Sequence, residues 1–158
     1  MEYLDVIDED NQVIDKKPRK LVHDKRLRHR TVMFFVFSPD DKILVTKRSD
    51  DKVFFPGYWS IVLGGHVKSG ETYDEALISE MKEEINTVGE YEKLGDFIKD
   101  IEEEIEHVYL YKVKVEPDKI DLLDKEFQRG EFWNIEKIKR KVKELDFLPE
   151  TEVVIDYL

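Results

Sequence analysis

Glu80, Glu83 and Glu84 recur three and four residues apart in GGHVKSGETYDEALISEMKEEINTV, the stretch from Gly64 to Val88. At roughly 100° per residue they share one arc of a helix, and the small Ala76 leaves open space among them. Three ionised carboxylates on one face repel each other. Magnesium or manganese relieves that repulsion, because hard cations take oxygen ligands and keep positions for a phosphate. The chemistry open to this face is metal-assisted work on a diphosphate. A solvated acidic surface is the plainer reading, since Asp and Glu number 37 of 158 residues. The surroundings favour a built site. Thr72 and Glu75 have capping-box spacing, and Leu77, Ile78, Met81 and Ile85 form an adjoining apolar stripe. Gly64, Gly65 and Gly70 permit a tight loop just before the helix. Glu71, at the loop–helix junction, is close enough to join the acidic site.

Other residues carry chemistry with less certain placement. Glu102, Glu103, Glu104 and Glu106 form a second acidic cluster, readable as a solvated hairpin tip. Strand alternation puts Glu104 and Glu106 on one face, where either could activate water. His66 follows two glycines and could touch metal or phosphate, or make ordinary loop hydrogen bonds. His23 and His29 are weaker candidates, and His107 reads as an outward-facing strand residue. Lys47 and Arg48 close a strand beside the glycine loop; one could hold a terminal phosphate, Arg being favoured for its fork of donors. A solvated strand end is the equal alternative, and Arg26, Arg28 and Arg30 form another candidate clamp. Phe54, Phe55, Tyr58 and Trp59 could stack on a base, although aromatics beside a Pro-Gly turn are more often core.

The elements that must position these groups follow from pattern. Residues 3–7 alternate as a strand, and the turn Asp8–Asn11 returns the chain to Val13 and Ile14. The basic stretch KKPRKLVHDKRLRHR reads as looped or briefly helical. Val32–Phe37 is a continuous apolar run, the mark of a buried central strand. Pro39-Asp40-Asp41 turns it into Ile43–Thr46 as a hairpin. Trp59–Leu63 is a strand feeding the glycine loop. Tyr91–Asp100 and Glu106–Val115 form a long hairpin closed by Ile101–Ile105. Phe132 and Trp133 sit in a last strand, Asn134 caps a helix over 135–145, and Pro149 starts a short C-terminal helix. No repeat or linker divides the chain, so 1–158 reads as one domain.

Composition narrows the partners. A net charge of −11 disfavours long nucleic acids. Zero cysteines exclude disulfides and thiolate zinc sites. The acidic start MEYLDVIDED and the lack of a long apolar run point away from membranes and make the cytoplasm the default location. A small-molecule diphosphate is the expected partner, and a homodimer stays open.

The glycine–glutamate segment resembles the signature of the Nudix hydrolase superfamily: Gly, five residues, Glu, seven residues, Arg-Glu, an aliphatic, any residue, Glu-Glu, any residue, Gly and an aliphatic. It falls here on Gly65, Glu71, Ser79, Glu80, Met81, Glu83, Glu84, Asn86 and Thr87. Ser79, Asn86 and Thr87 depart from it. Asn86 still tolerates the left-handed conformation that ends helices. Ser79 cannot pair with the carboxylates as the family's arginine does. HRTVMFFVFSPDDKILVTKRS, FFPGYWSIVLGG and EFWNIEKIK extend the resemblance over roughly 29–145. Within the superfamily, EYLDVIDEDNQVIDKKPR and the GGH triplet look like proteins related to type I isopentenyl diphosphate isomerase. His29, His66, Glu104 and Glu106 could match some of that enzyme's metal ligands. Its cysteine position is Gly64 here, so its mechanism has no thiol.

The resemblance implies an α/β (α+β) fold, a mixed β-sheet sandwiched between α-helices. It implies a pyrophosphohydrolase using magnesium or manganese, held by Glu80, Glu83, Glu84 and the Gly65 carbonyl. Glu71 would support the cluster, and a box glutamate, Glu104 or Glu106 would take the proton from water. Arg48, Lys47, His66 and Arg30 are the candidate substrate contacts. A nucleoside di- or triphosphate leads as substrate, ahead of an isoprenoid or sugar diphosphate. The alternatives are a non-catalytic nucleotide-binding module, prompted by Ser79, and an isomerase-like protein.

Overall fold

The structure is a computed structural model that describes residues 1–101, 104–122 and 127–158. The apolar run at the centre of the sequence becomes the centre of the fold. Strand β3 (Arg28–Phe37) pairs in parallel with β8 (Glu104–Lys114) along its whole length, and β8 pairs antiparallel with β7 (Glu90–Ile101). β4 (Ile43–Arg48) lies between β9 (Phe127–Trp133) and β5 (Trp59–Ser60). With β6 (Leu63–His66) on the free edge of β3, these seven strands make one mixed sheet.

The expected β3–β4 hairpin is only a root. Phe37 and Ile43 pair, and then the strands splay apart. β6 takes the edge of β3 and β5 the edge of β4, so the expected strand Trp59–Leu63 is split in two. A gap in the middle of the sheet results, and it becomes the site.

Both faces of β3 are covered, as its unbroken apolar run requires. Val32, Phe34 and Val36 pack with Leu77, Met81 and Ile85 of helix α2 (Tyr73–Ile85). Met33, Phe35 and Phe37 face Trp133, Ile138 of α3 (Ile135–Lys141) and Val154 of α4 (Thr151–Val154). Leu77, Met81 and Ile85 are fully buried, each contributing about 2 kcal/mol by area. α2 starts with the full reciprocal capping box of Thr72 and Glu75, and Asn86 ends it at φ 56° and ψ 29°. Asn134 caps α3 through the Lys137 amide, but the expected helix over 135–145 stops at Lys141. Lys143 and Glu144 donate to the carbonyls three residues back, tightening the last turn. α4 begins at Thr151, two residues after Pro149.

The N-terminal hairpin, β1 (Tyr3–Ile7) and β2 (Val13–Pro18), leads into the short helix α1 (Arg19–Asp24). It is tied to the glycine loop: the Ser69 hydroxyl donates to Asp5 across 2.6 Å. No helix among the described residues is long and apolar enough to cross a membrane.

Candidate functional site

β3 starts four residues before its apolar run, and those first residues are chemical. His29 and Thr31 continue the face of Met33. Parallel register sets His29 beside Glu106 of β8, and antiparallel register sets Thr31 beside His66 of β6. α1 adds His23. The three imidazole centroids lie 5.1 to 5.6 Å apart. Among the described residues, His23, His29, His66 and Glu104 form the group of donors whose ligand atoms all lie within 4.8 Å of one another. Glu106 adjoins it, with Oε2 at 3.4 Å from His29 Nε2 and 3.5 Å from His66 Nε2. Glu104 Oε1 stands 3.3 Å from His23 Nδ1 and 3.4 Å from His66 Nε2. His23 and His29, weak candidates by sequence, are therefore central.

This donor set fits a divalent cation. His29 Nδ1 lies 2.8 Å from the Leu27 carbonyl, which can only accept, so Nδ1 carries the proton. The basic Nε2 is left buried, aimed at the cluster and without a hydrogen-bond partner. A backbone-anchored imidazole of this kind is how proteins present a metal ligand.

Electrostatics keep the acids charged. Burial opposes ionisation of Glu106, but His29, Lys99, His66 and Thr31 outweigh it and hold the carboxyl well below the usual range. Glu104 is lowered too, first by its hydrogen bond with His66. Burial pulls His23 down. His29 also feels burial, yet Glu106 and the Leu27 carbonyl raise it overall.

The glycine–glutamate box lies next to this cluster. A cavity of about 200 Å³ is lined by Gly64, Gly65, His66 and Glu84 on one side and by Arg48, Lys99, Glu104 and Glu106 on another. Glu80 packs directly on Gly65, where a β-carbon would come within 2.2 Å of Oε1. Burial, then the charge of Glu83, pushes Glu80 up to about 7. Glu83 is exposed. Glu71 accepts from the Lys68 amide across 2.8 Å and closes the loop, near enough for its charge to reach Glu80.

Of the candidate substrate contacts, Arg48 lines this cavity, whereas Lys47 and Arg30 do not. Their neighbours Arg48 and Thr31 face the cavity, so alternation turns both away. Lys47 Nζ stands over the Trp59 ring, and Arg30 donates to the Asn11 side chain and carbonyl at 2.8 and 2.7 Å. Of the other proposed clamp, Arg26 pairs with Asp100. His107 points to the opposite face, though it is bound to Asp96 rather than free in water. Phe54 and Phe55 are not core: with Arg19, His23, Lys99, Ile101, Glu104, Pro149 and Glu150 they line a second cavity of about 400 Å³. Trp59 is core. Glu102 and Glu103 lie outside the described residues. Lys99 was missed altogether, because a lysine in a strand reads as a solvated charge.

Residues 27–152 match the model of the NUDIX domain, most of the chain. The chain belongs to the Nudix family. An uncharacterised Nudix hydrolase of Clostridium acetobutylicum is 30% identical over 150 residues, covering 87% of this chain and 70% of its own length. One from Yersinia pestis is 39% identical over 89 residues, 56% of this chain and 49% of that protein. The chain spans about half the length of the first curated relatives it matches. Among solved structures, DR0079 from Deinococcus radiodurans superposes with a TM-score of 0.74 at 25% identity, covering 98% of both chains. The Nudix domain of Shewanella oneidensis NrtR, solved with ADP ribose, shares the fold at a TM-score of 0.62 and 16% identity, over 80% of this chain and 83% of that one. The family match includes the signature segment Gly65–Thr87, while the branch related to the isomerase finds no such support.

Proposed function

We propose that this chain is a divalent-metal-dependent pyrophosphohydrolase acting on an organic diphosphate. The observation that carries this reading is the shared cavity, where His66, Glu84, Glu104 and Glu106 meet the cations Arg48 and Lys99 around one space. His23, His29, His66 and Glu104, with Glu106 beside them, would hold a cation such as manganese, which accepts imidazole readily. Glu80, Glu83, Glu84 and the Gly65 carbonyl would hold magnesium. When bound, the metal neutralises phosphate charge and makes water a better nucleophile. Arg48 grips a phosphate, and Glu84 or Glu104, both on the cavity wall, takes the proton from the attacking water. Glu71 supports the arrangement by closing the loop. The organic group rests in the neighbouring cavity against Phe54, Phe55, Ile101 and Pro149. Aromatic walls suit a nucleoside di- or triphosphate first, an isoprenoid or sugar diphosphate second.

Ser79 favours a second reading, a module that binds nucleotide without cleaving it. Against it, Arg48 brings a guanidinium to the cavity that Glu84 lines, from β4 rather than from the helix. The isomerase reading fares worse. A β-carbon at Gly64 would lie 2.2 Å from the Val32 carbonyl oxygen, so the backbone leaves no room for the cysteine. Screening nucleotide, sugar and isoprenoid diphosphates with magnesium and manganese, with products weighed by mass spectrometry, tests the proposal. Hydrolysis of a phosphoanhydride bond supports it; saturable binding without turnover across the panel supports the module.

A further inference from the structure

Lys99 stands at the wall between the two cavities and lines both. Its place is set by register: on β7 it is the direct partner of Glu106 on β8. Its side chain is only 17% exposed, and Nζ lies 3.5 Å from Glu106 Oε1 and 4.0 Å from Glu104 Oε2. The two oxygens of Glu106 thus face different cations. Oε1 faces Lys99, while Oε2 faces His29, His66 and the Thr31 hydroxyl. Lys99 now neutralises the carboxylates that a metal ion would neutralise once bound.

We propose that Lys99 is the phosphate anchor of this site, its ammonium passing from Glu104 and Glu106 to the incoming diphosphate once a divalent cation occupies the histidine–glutamate cluster. The argument is one of charge. Two carboxylates cannot hold a divalent cation and an ammonium as tightly as they hold either alone. A lysine has a compact charge on a flexible four-carbon arm, so its ammonium can pass between neighbouring oxygens. The space it can enter is the junction of the cavities, where the phosphates of a substrate seated against Phe54 and Phe55 must lie. Metal occupancy then releases the group that binds the substrate, and metal and diphosphate bind with positive coupling.

This inference rests on the diphosphate reading above, and the test separates the two. The protein and its variants Lys99→Met and Lys99→Arg are titrated with manganese alone, followed by electron paramagnetic resonance. Inorganic pyrophosphate is then titrated calorimetrically into each manganese-loaded protein. Lys99→Met should take up manganese at least as tightly as the parent, since a competing cation is gone. Its pyrophosphate affinity should fall about tenfold or more, the worth of a charge-assisted hydrogen bond. Lys99→Arg, which keeps the charge, should bind pyrophosphate within about threefold of the parent. If Lys99→Met instead loses manganese and keeps pyrophosphate, Lys99 only positions the carboxylates and the inference is overturned. If Lys99→Arg loses manganese affinity as well as pyrophosphate, it is overturned equally. A parent that takes up no manganese defeats the reading on which it rests.

Discussion

His29 and Glu106 are register partners on the parallel strands β3 and β8, and their side chains meet at 3.4 Å where they are 1% and 3% exposed. The buried imidazole turns its basic Nε2 toward the buried carboxylate, with Lys99 and Thr31 completing the carboxylate's partners. This pair joins the sheet to the site. Breaking it by Glu106→Gln leaves Lys99 without the buried counter-charge of Glu106. The variant should lose about 3 kcal/mol of unfolding free energy, measured by urea denaturation in a chelator. Manganese uptake should weaken by about tenfold or more.

Glu83 gives the opposite outcome. It is exposed on α2, so Glu83→Gln should shift stability by less than about 0.5 kcal/mol. Magnesium-dependent turnover should nevertheless be abolished. Thermal melting and initial rates check the two halves separately, and retained activity would remove Glu83 from the metal assignment.

The adjacent glycines differ in what a side chain would meet. At Gly65 a β-carbon strikes the end of the Glu80 side chain, which can swing away. Gly65→Ala should fold with near-parental stability yet require more magnesium, seen as a raised half-saturating concentration in rate assays. At Gly64 it strikes the Val32 backbone carbonyl, which cannot yield without moving β3. Gly64→Cys should cost about 2 kcal/mol or more. It should gain no conversion between allylic and homoallylic diphosphates.

The face of the β7–β8 hairpin away from the site has its own clamp. Asp96 lies below the usual carboxylate range, chiefly because His107 donates to it across 2.7 Å, with Lys93 adding charge. A lowered acid stabilises the fold above its unfolded pKa, and that contribution is lost as pH falls through the folded value. Asp96 is 45% exposed, so solvent screening keeps the effect under about 1 kcal/mol. Asp96→Asn should be slightly less stable than the parent at pH 7, and the two should converge at an acid pH below the usual carboxylate range. Urea denaturation at both pH values checks this.

Local chemistry was readable from the chain; long-range register was not. The capping box of Thr72 and Glu75, the left-handed Asn86 and the apolar stripe of α2 depend on neighbours within one turn, and all appear as expected. The apolar run places the start of β3 at Val32, whereas the strand begins at Arg28; of its four polar or charged first residues, His29 and Thr31 belong to the site. His23 and His29 lie six residues apart on different elements, and only the pairing of β3 with β6 and β8 brings them to His66 and Glu104. Lys47 and Arg48 are adjacent in sequence and so point to opposite faces. Which face holds the cavity depends on the splaying of β3 from β4, a tertiary event with no local signal.

Anomalous diffraction from crystals of the full chain soaked in manganese tests the central claim most directly. The account predicts a manganese peak bounded by His23, His29, His66 and Glu104, with Glu106 adjoining it. A map without that peak, the three imidazoles and the carboxylate in place around nothing, would contradict it.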